Sequence, residues 1–255
     1  MKEFFGFGGY SRPAEGYMSW KHLLFVTSLI IIMIILAVYI GLKFRNKDEK
    51  SKNKVLIWAA ILIDSFELFK IIIMCIRGGD ALGWLYELPL FLCSIQLITI
   101  PLAAFSKGRI KEAALDFVFI FGLLGAVLGT YAAGNNYSCY PVLSMDNVVS
   151  GITHCISGFS ALYIVISNMQ SMKKENIKIT FGIITVFGIL AYIANILLDY
   201  NYMFLMRGDG TPYDLLFNLV NGNQIAYPIL VIVLFYAYIL LFHFIYNLIK
   251  NKKRG

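Results

Sequence analysis

Charged side chains are scarce in this chain of 255 residues. Asp, Glu, Lys and Arg together make up 15% of the sequence, whereas hydrophobic residues make up 59%. Soluble domains carry about 25% charged residues, so the composition excludes a water-soluble enzyme and a disordered protein. A membrane span needs roughly 20 apolar residues, and the length therefore allows about six to eight crossings with no room for a sizeable soluble domain.

Cysteine and histidine are also rare, with four and three residues. The cysteines form neither a CxxC pair nor a metal-ligand spacing, and they are Cys75, Cys93, Cys139 and Cys155. The cysteine count therefore indicates no redox compartment, and we predict no metal and no other cofactor. A disulfide-stapled secreted domain is excluded by the apolar composition.

Apolar runs of helix length predict an all-α, polytopic bundle of seven transmembrane helices that forms a single domain over residues 1–255. The predicted spans cover about residues 22–42, 55–76, 85–105, 110–133, 147–168, 179–198 and 225–249. No small-residue cleavage site follows the first run, so we expect this span to be retained. The long outer loop 199–224 contains a short amphipathic stretch and is predicted to cap the outer face.

Lysine and arginine are distributed unevenly between the two sides of these spans. Sixteen of the 22 follow spans one, three, five and seven, five lie on the other side, and Lys70 lies within a span. Basic residues accumulate on the cytoplasmic side, which predicts an outer N-terminus and an inner C-terminus. The net charge of +7 is therefore interpreted as a topology signal, and no nucleic-acid partner is predicted.

Ionisable residues inside a span are costly and indicate functional positions. Span two carries Asp64, Glu67 and Lys70 at a spacing of three, which predicts one polar face turned towards the bundle. Such a face suits a substrate clamp or a proton relay. A Glu67–Lys70 pair that only neutralises both charges is an equally good interpretation.

Counting residues from the outer end of each span, at 1.5 Å per residue, places several polar residues at a similar depth. The group comprises Glu67, Lys70, Cys93, Gln96, His154 and Asn195. The combination of Cys93 and His154 predicts nucleophilic chemistry, because an imidazole can take the proton of a thiol. Glu67 is a candidate for orienting that imidazole. The alternative is an inert buried cysteine beside a packing histidine.

Three segments carry a resemblance to a known family: HLLFV in span one, ELPLFLCSIQL in span three and NYMFL after span six. In these three segments the chain resembles the YwaF-like bacterial integral membrane proteins. It is also distantly similar to an animal Cys/His acyltransferase that acts on ether phospholipids. The resemblance implies a multi-pass protein of the bacterial plasma membrane. It selects His22, Cys93, His154, Asn201 and Tyr202. Relatives usually carry histidine where this chain has Phe91.

Two functions remain open at this stage. The first is a phospholipid acyltransferase or lipid-binding protein with Cys93 and His154 as the site and an acyl-donor phospholipid as partner. Substrate contacts are predicted for Asp64, Glu67, Lys70, Gln96, Asn195, Asn201, Tyr202 and His22. The alternative is a small-molecule or ion transporter that uses the polar face of span two, although the sequence shows no internal repeat of the kind many transporters have.

Overall fold

A computed structural model describes residues 2–252, and within them the chain forms ten α-helices and no β-strand. The helices are α1 (Lys2–Phe5), α2 (Trp20–Phe44), α3 (Glu49–Gly78), α4 (Gln96–Phe105), α5 (Gly108–Tyr131), α6 (Gly134–Cys139), α7 (Met145–Ile166), α8 (Lys174–Leu198), α9 (Asp214–Leu219) and α10 (Ala226–Lys252). Two short 3-10 turns lie at Gly83–Tyr86 and Tyr202–Phe204. The predicted all-helical class is confirmed.

Five helical segments in the described part of the chain are long and apolar enough to cross a membrane. They are α2, α5 with its continuation through α6, α7, α8 and α10. The helix α3 has 30 residues, but charged side chains interrupt its apolar stretch. A multi-pass membrane protein is therefore supported, while the count of seven spans and the orientation of the termini stay predictions.

The predicted third span, residues 85–105, is not a continuous helix. After the turn at Gly83–Tyr86 the chain has no regular structure until α4, which has only ten residues. A helix of that length is about 15 Å long, half the hydrocarbon thickness of a bilayer. The expectation of a continuous helix was wrong, because Pro89 lacks an amide donor and disfavours helical angles at Leu88. Cys93 consequently lies on an irregular segment that leads into α4.

The helix α5 runs through the middle of the bundle and packs most extensively against α7, with further contacts to α4 and α8. Its side chains face two cores. Phe117 and Phe121 pack towards α8 and α10, whereas Val118 packs towards α3, α4 and α7. The close approach of α5 to α7 requires Gly122, because a Cβ there would lie 2.8 Å from the carbonyl oxygen of Ser157.

The segment before α2 is held against the ends of α3 and α7 that are predicted to face outwards. The guanidinium of Arg77 donates to both carboxylate oxygens of Asp146, at 2.7 Å each. The hydroxyl of Tyr10 donates to the same carboxylate at 2.6 Å. Burial raises the pKa of Tyr10 to about 12, so this hydroxyl keeps its proton at neutral pH.

A second contact of this segment predicts an effect of pH. The carboxylate of Glu15 accepts from the amide of Val142 at 2.8 Å and lies 3.5 Å from Lys21 Nζ. Burial raises the pKa of Glu15, but the bond from the amide of Val142, the residue's own backbone amide and the nearby charges of Arg12 and Lys21 together outweigh burial and hold that pKa below its ordinary 4.5. Because the folded pKa is the lower one, the contact is fully present above pH 4.5 and is lost as the pH falls through the folded pKa. We expect a spin label at Ser11 to become more mobile over that acidic range.

The control for this titration is Glu15→Gln, in which the acid-induced change in label mobility should disappear. An identical acid transition in Glu15→Gln would assign the change to another carboxyl group.

Candidate functional site

Cys93 lies in the irregular segment that precedes α4. The turn that contains it is closed by Ser94, whose hydroxyl accepts from the amide of Phe91 and donates to the carbonyl of Phe91, both at 3.0 Å. The backbone amides of Cys93 and Ser94 are close enough to the sulfur to act on it electrostatically. A thiol that receives amide donors near a helix start is in the type of environment found around reactive cysteines.

The imidazole of His154 projects from α7 and is oriented by its own helix. Its Nδ1 lies 2.7 Å from the carbonyl oxygen of Ser150. We assign the ring proton to Nδ1, because a carbonyl can only accept, and Nε2 then presents a lone pair. The thiol of Cys93 lies close enough to this imidazole to interact with it electrostatically, and both side chains are only partly buried. The structure therefore brings together the two residues that the sequence predicts to meet.

Two glycines of α5 form the floor beneath this pair. A Cβ at Gly129 would overlap Cδ2 and Nε2 of the His154 ring, and a Cβ at Gly125 would lie 3.6 Å from the Cβ of Cys93. Residues four apart are neighbours on a helix, so the two side chains rest on one face of α5. From the sequence alone, this glycine spacing predicts only close helix packing.

A largely buried ion network, whose side chains are 12–23% exposed, lies beside the pair. The ammonium of Lys70 is 2.6 Å from Oε1 of Glu67 and 3.0 Å from Oε2 of Glu87. Because Glu87 belongs to the irregular segment that carries Cys93, the network ties this segment to α3. Lys70 is also close enough to act electrostatically on His154. Glu67 is thus engaged with Lys70, and the carbonyl of Ser150 orients the imidazole instead.

Asp64 does not belong to this network. It is exposed on α3, whereas the side chains of Glu67 and Lys70 are 12% and 13% exposed. The prediction that all three face the bundle is wrong for Asp64. Each step of three residues falls about 60° short of a full turn, so Asp64 and Lys70 point about 120° apart. The continuous polar face that the transporter alternative requires is therefore broken.

A sequence profile of the TMEM164 family matches residues 17–246. The chain belongs to the TMEM164 family. This is a family of membrane proteins, and the matched region of the present member includes Cys93, His154 and both glycines beneath them. Among curated proteins and among solved structures, no match to the chain is found.

Three predicted substrate contacts instead support the loop after α8 in this TMEM164-family protein. The amide of Asn195 donates to the carbonyl of Tyr202 at 3.0 Å and accepts from its amide at 2.6 Å. The hydroxyl of Tyr202 donates to the carbonyl of Leu85 at 2.5 Å and accepts from the amide of Leu88 at 3.3 Å. Asn201 bonds to backbone groups of its own loop. These residues fix the segment that leads to Cys93.

Two further predicted contacts, His22 and Gln96, are completely buried. Both ring nitrogens of His22 are bonded to backbone groups, one of them to the carbonyl of Thr130 at 3.1 Å. The Oε1 of Gln96 accepts from Thr99 at 3.1 Å, while its Nε2 has no partner among the described residues. Gln96 therefore keeps a free donor one turn after Cys93, whereas His22 is a structural residue of the TMEM164-family bundle.

Phe91 packs against the same loop. Its ring centroid lies 5.1 Å from that of Tyr202 and 6.2 Å from those of Tyr200 and Phe204. The aromatic side chain thus helps to attach the loop after α8 to the segment that carries Cys93.

Two residues near the site have no signal in the sequence of this TMEM164-family member. Glu87 lies just inside the start of the predicted third span, where a charge is typical of the membrane interface. Tyr213 lies in the outer loop, yet it is near enough to Cys93 to interact with it electrostatically and it stacks on Phe204 at 5.3 Å. Only the folded path of the chain brings them to the site.

Proposed function

We propose that this protein is a lipid acyltransferase of the cell membrane in which Cys93 carries the acyl group and His154 moves the proton. The single observation that supports this most is the imidazole of His154, held by its Nδ1 on the carbonyl of Ser150 and paired with the Cys93 thiol. We also propose that the chain spans the membrane seven times with its N-terminus outside and lies in a bacterial plasma membrane. Its acyl donor is a phospholipid, and it is related to the YwaF-like proteins.

The first half-reaction transfers an acyl group to the protein. Nε2 of His154 takes the thiol proton while the sulfur of Cys93 attacks the carbonyl carbon of a phospholipid ester. The tetrahedral intermediate collapses with cleavage of the ester C–O bond. The leaving lysophospholipid oxygen takes the proton back from His154, and the acyl group remains on Cys93 as a thioester.

The second half-reaction releases the acyl group. The hydroxyl of an acceptor lysophospholipid gives its proton to Nε2 of His154 and attacks the thioester carbonyl. The C–S bond breaks, and the thiolate of Cys93 recovers the proton from His154. Water in place of the acceptor makes the same site a hydrolase.

Donors for the tetrahedral oxyanion are present around the sulfur. The backbone amides of Cys93 and Ser94 act on it electrostatically. One helical turn after Cys93, Nε2 of Gln96 is a buried amide donor without a partner among the described residues. Preorganised donors of this kind are worth about 10²–10³ in rate each when they point at the developing charge. A catalytic role for Gln96 in this proposal is therefore stabilisation of the oxyanion.

An activated acyl ester tests the proposal with purified protein. We expect hydroxylamine-sensitive labelling of the wild type, complete loss of it in Cys93→Ser, and a decrease of at least about 100-fold in His154→Ala. The matched control is Cys155→Ser, since the neighbouring thiol of Cys155 is buried and should not react. Equal labelling of all three variants would contradict the acyl-enzyme proposal and favour a binding or structural protein.

A further inference from the structure

A groove lies at the end of the bundle that is predicted to face the cytoplasm, away from the Cys93 site. It has a volume of about 570 Å³ and lies between the ends of α2 and α10. Its walls are apolar and include Val38, Leu42, Phe119, Ile166 and Ile249. The long apolar wall suits a hydrocarbon chain.

The groove opens at one end onto a cluster of polar side chains. Arg45 and Lys250 supply two positive charges, and no acidic residue lines the groove within the described part of the chain. The ammonium of Lys250 lies 5.8 Å from the ring centroid of Tyr246, whose hydroxyl accepts from the amide of Gln170 at 3.4 Å. This arrangement holds one cation and two neutral polar groups at the mouth.

We propose that the groove binds an anionic phospholipid of the cytoplasmic leaflet. The acyl chain lies along the apolar wall, and the phosphate lies between Arg45 and Lys250. Two properties of the groove support this occupant: its charge is complementary to an anionic headgroup, and the mouth lies among the basic residues that mark the cytoplasmic side. Basic pockets between transmembrane helices at this level bind anionic lipid headgroups in other membrane proteins.

The site goes beyond the proposed acyl transfer and does not depend on it. Neither Cys93 nor His154 lines the groove, and the lipid held there is a bound component rather than an acyl donor. Loss of the bound lipid should therefore leave the labelling of Cys93 by a water-soluble activated ester unchanged.

Lipid retention by the full-length chain tests the proposal. The protein is reconstituted with equal amounts of phosphatidylglycerol and phosphatidylcholine, and the lipids retained after extraction are counted by native mass spectrometry. We expect the wild type to retain phosphatidylglycerol preferentially. In Arg45→Gln/Lys250→Gln, the ratio of retained phosphatidylglycerol to retained phosphatidylcholine should fall roughly tenfold. The control is Lys107→Gln/Lys178→Gln, which removes two exposed charges from the same side outside the groove and should behave like the wild type.

A second variant tests the apolar wall without a change of charge. Val38→Trp fills the groove and should also lower retention of phosphatidylglycerol. Retention that is unaffected in both groove variants would show that the groove does not bind the lipid. An equal decrease in the Lys107/Lys178 control would attribute retention to unspecific surface charge, and either result would overturn the proposal. Displacement of the lipid by millimolar inorganic phosphate would instead identify a site for a free anion and would equally contradict it.

Discussion

Replacement of Gly129 by alanine is expected to slow acylation of Cys93 by at least about 100-fold. A methyl group at this position of α5 would overlap Cδ2 and Nε2 of the His154 imidazole, so the ring must leave its place above the glycine. A displacement of about 1 Å in a catalytic group can reduce a rate by about 100-fold. We therefore expect labelling by the activated ester to fall by at least about that factor, measured as initial rate on folded, detergent-purified protein.

Two other glycines make this a graded experiment. Gly125→Ala should have only a mild effect, because its Cβ would make an ordinary contact of 3.6 Å with the Cβ of Cys93. Gly182→Ala on α8 should have none, since no atom lies within 4 Å of the added Cβ. Equal rates in Gly129→Ala and Gly182→Ala would show that the imidazole of His154 is not needed where the structure places it.

Replacement of Lys70 by methionine is expected to destabilise the protein strongly. The variant leaves the carboxylates of Glu67 and Glu87 close together without the cation that bridges them at 2.6 and 3.0 Å. Removal of one partner of a buried ion pair typically costs about 3–5 kcal/mol, because the remaining charge stays desolvated. We expect a decrease of that order in the free energy of unfolding, measured by denaturant titration in detergent micelles.

Variants of the same helix provide the controls for Lys70→Met. Asp64→Asn should be neutral, because Asp64 is exposed and lies outside the network. Lys70→Arg retains a positive charge between the two carboxylates and should recover most of the loss. A variant Lys70→Met as stable as Asp64→Asn would show that the network contributes little to the fold.

The helical part of the fold could be predicted because membrane helices are specified by hydropathy itself. Six of the seven predicted segments contain a long helix at nearly the expected residues, for example Met145–Ile166 for the prediction 147–168. The third segment was predicted wrongly as a continuous helix, because hydropathy does not show whether the backbone can form the hydrogen bonds of a helix. The residues around Pro89 are as apolar as a span, yet they do not form a continuous helix.

The site was predictable only in part, for a similar reason. Depth along a span follows from residue counts, and this placed Cys93 and His154 at one level. The direction in which Asp64 points was predicted wrongly, because residues spaced by three do not stay on one face of a helix. The carbonyl of Ser150 could not be foreseen, because every residue carries one and only local geometry decides which one binds an imidazole.

Intact mass spectrometry of the protein after incubation with a phospholipid donor tests the central claim most directly. The acyl-enzyme account predicts one added acyl group that hydroxylamine removes, that maps to the peptide containing Cys93, and that accumulates when no acceptor lysophospholipid is present. Turnover of the phospholipid without any adduct on Cys93, or an adduct of equal amount in Cys93→Ser, would contradict it.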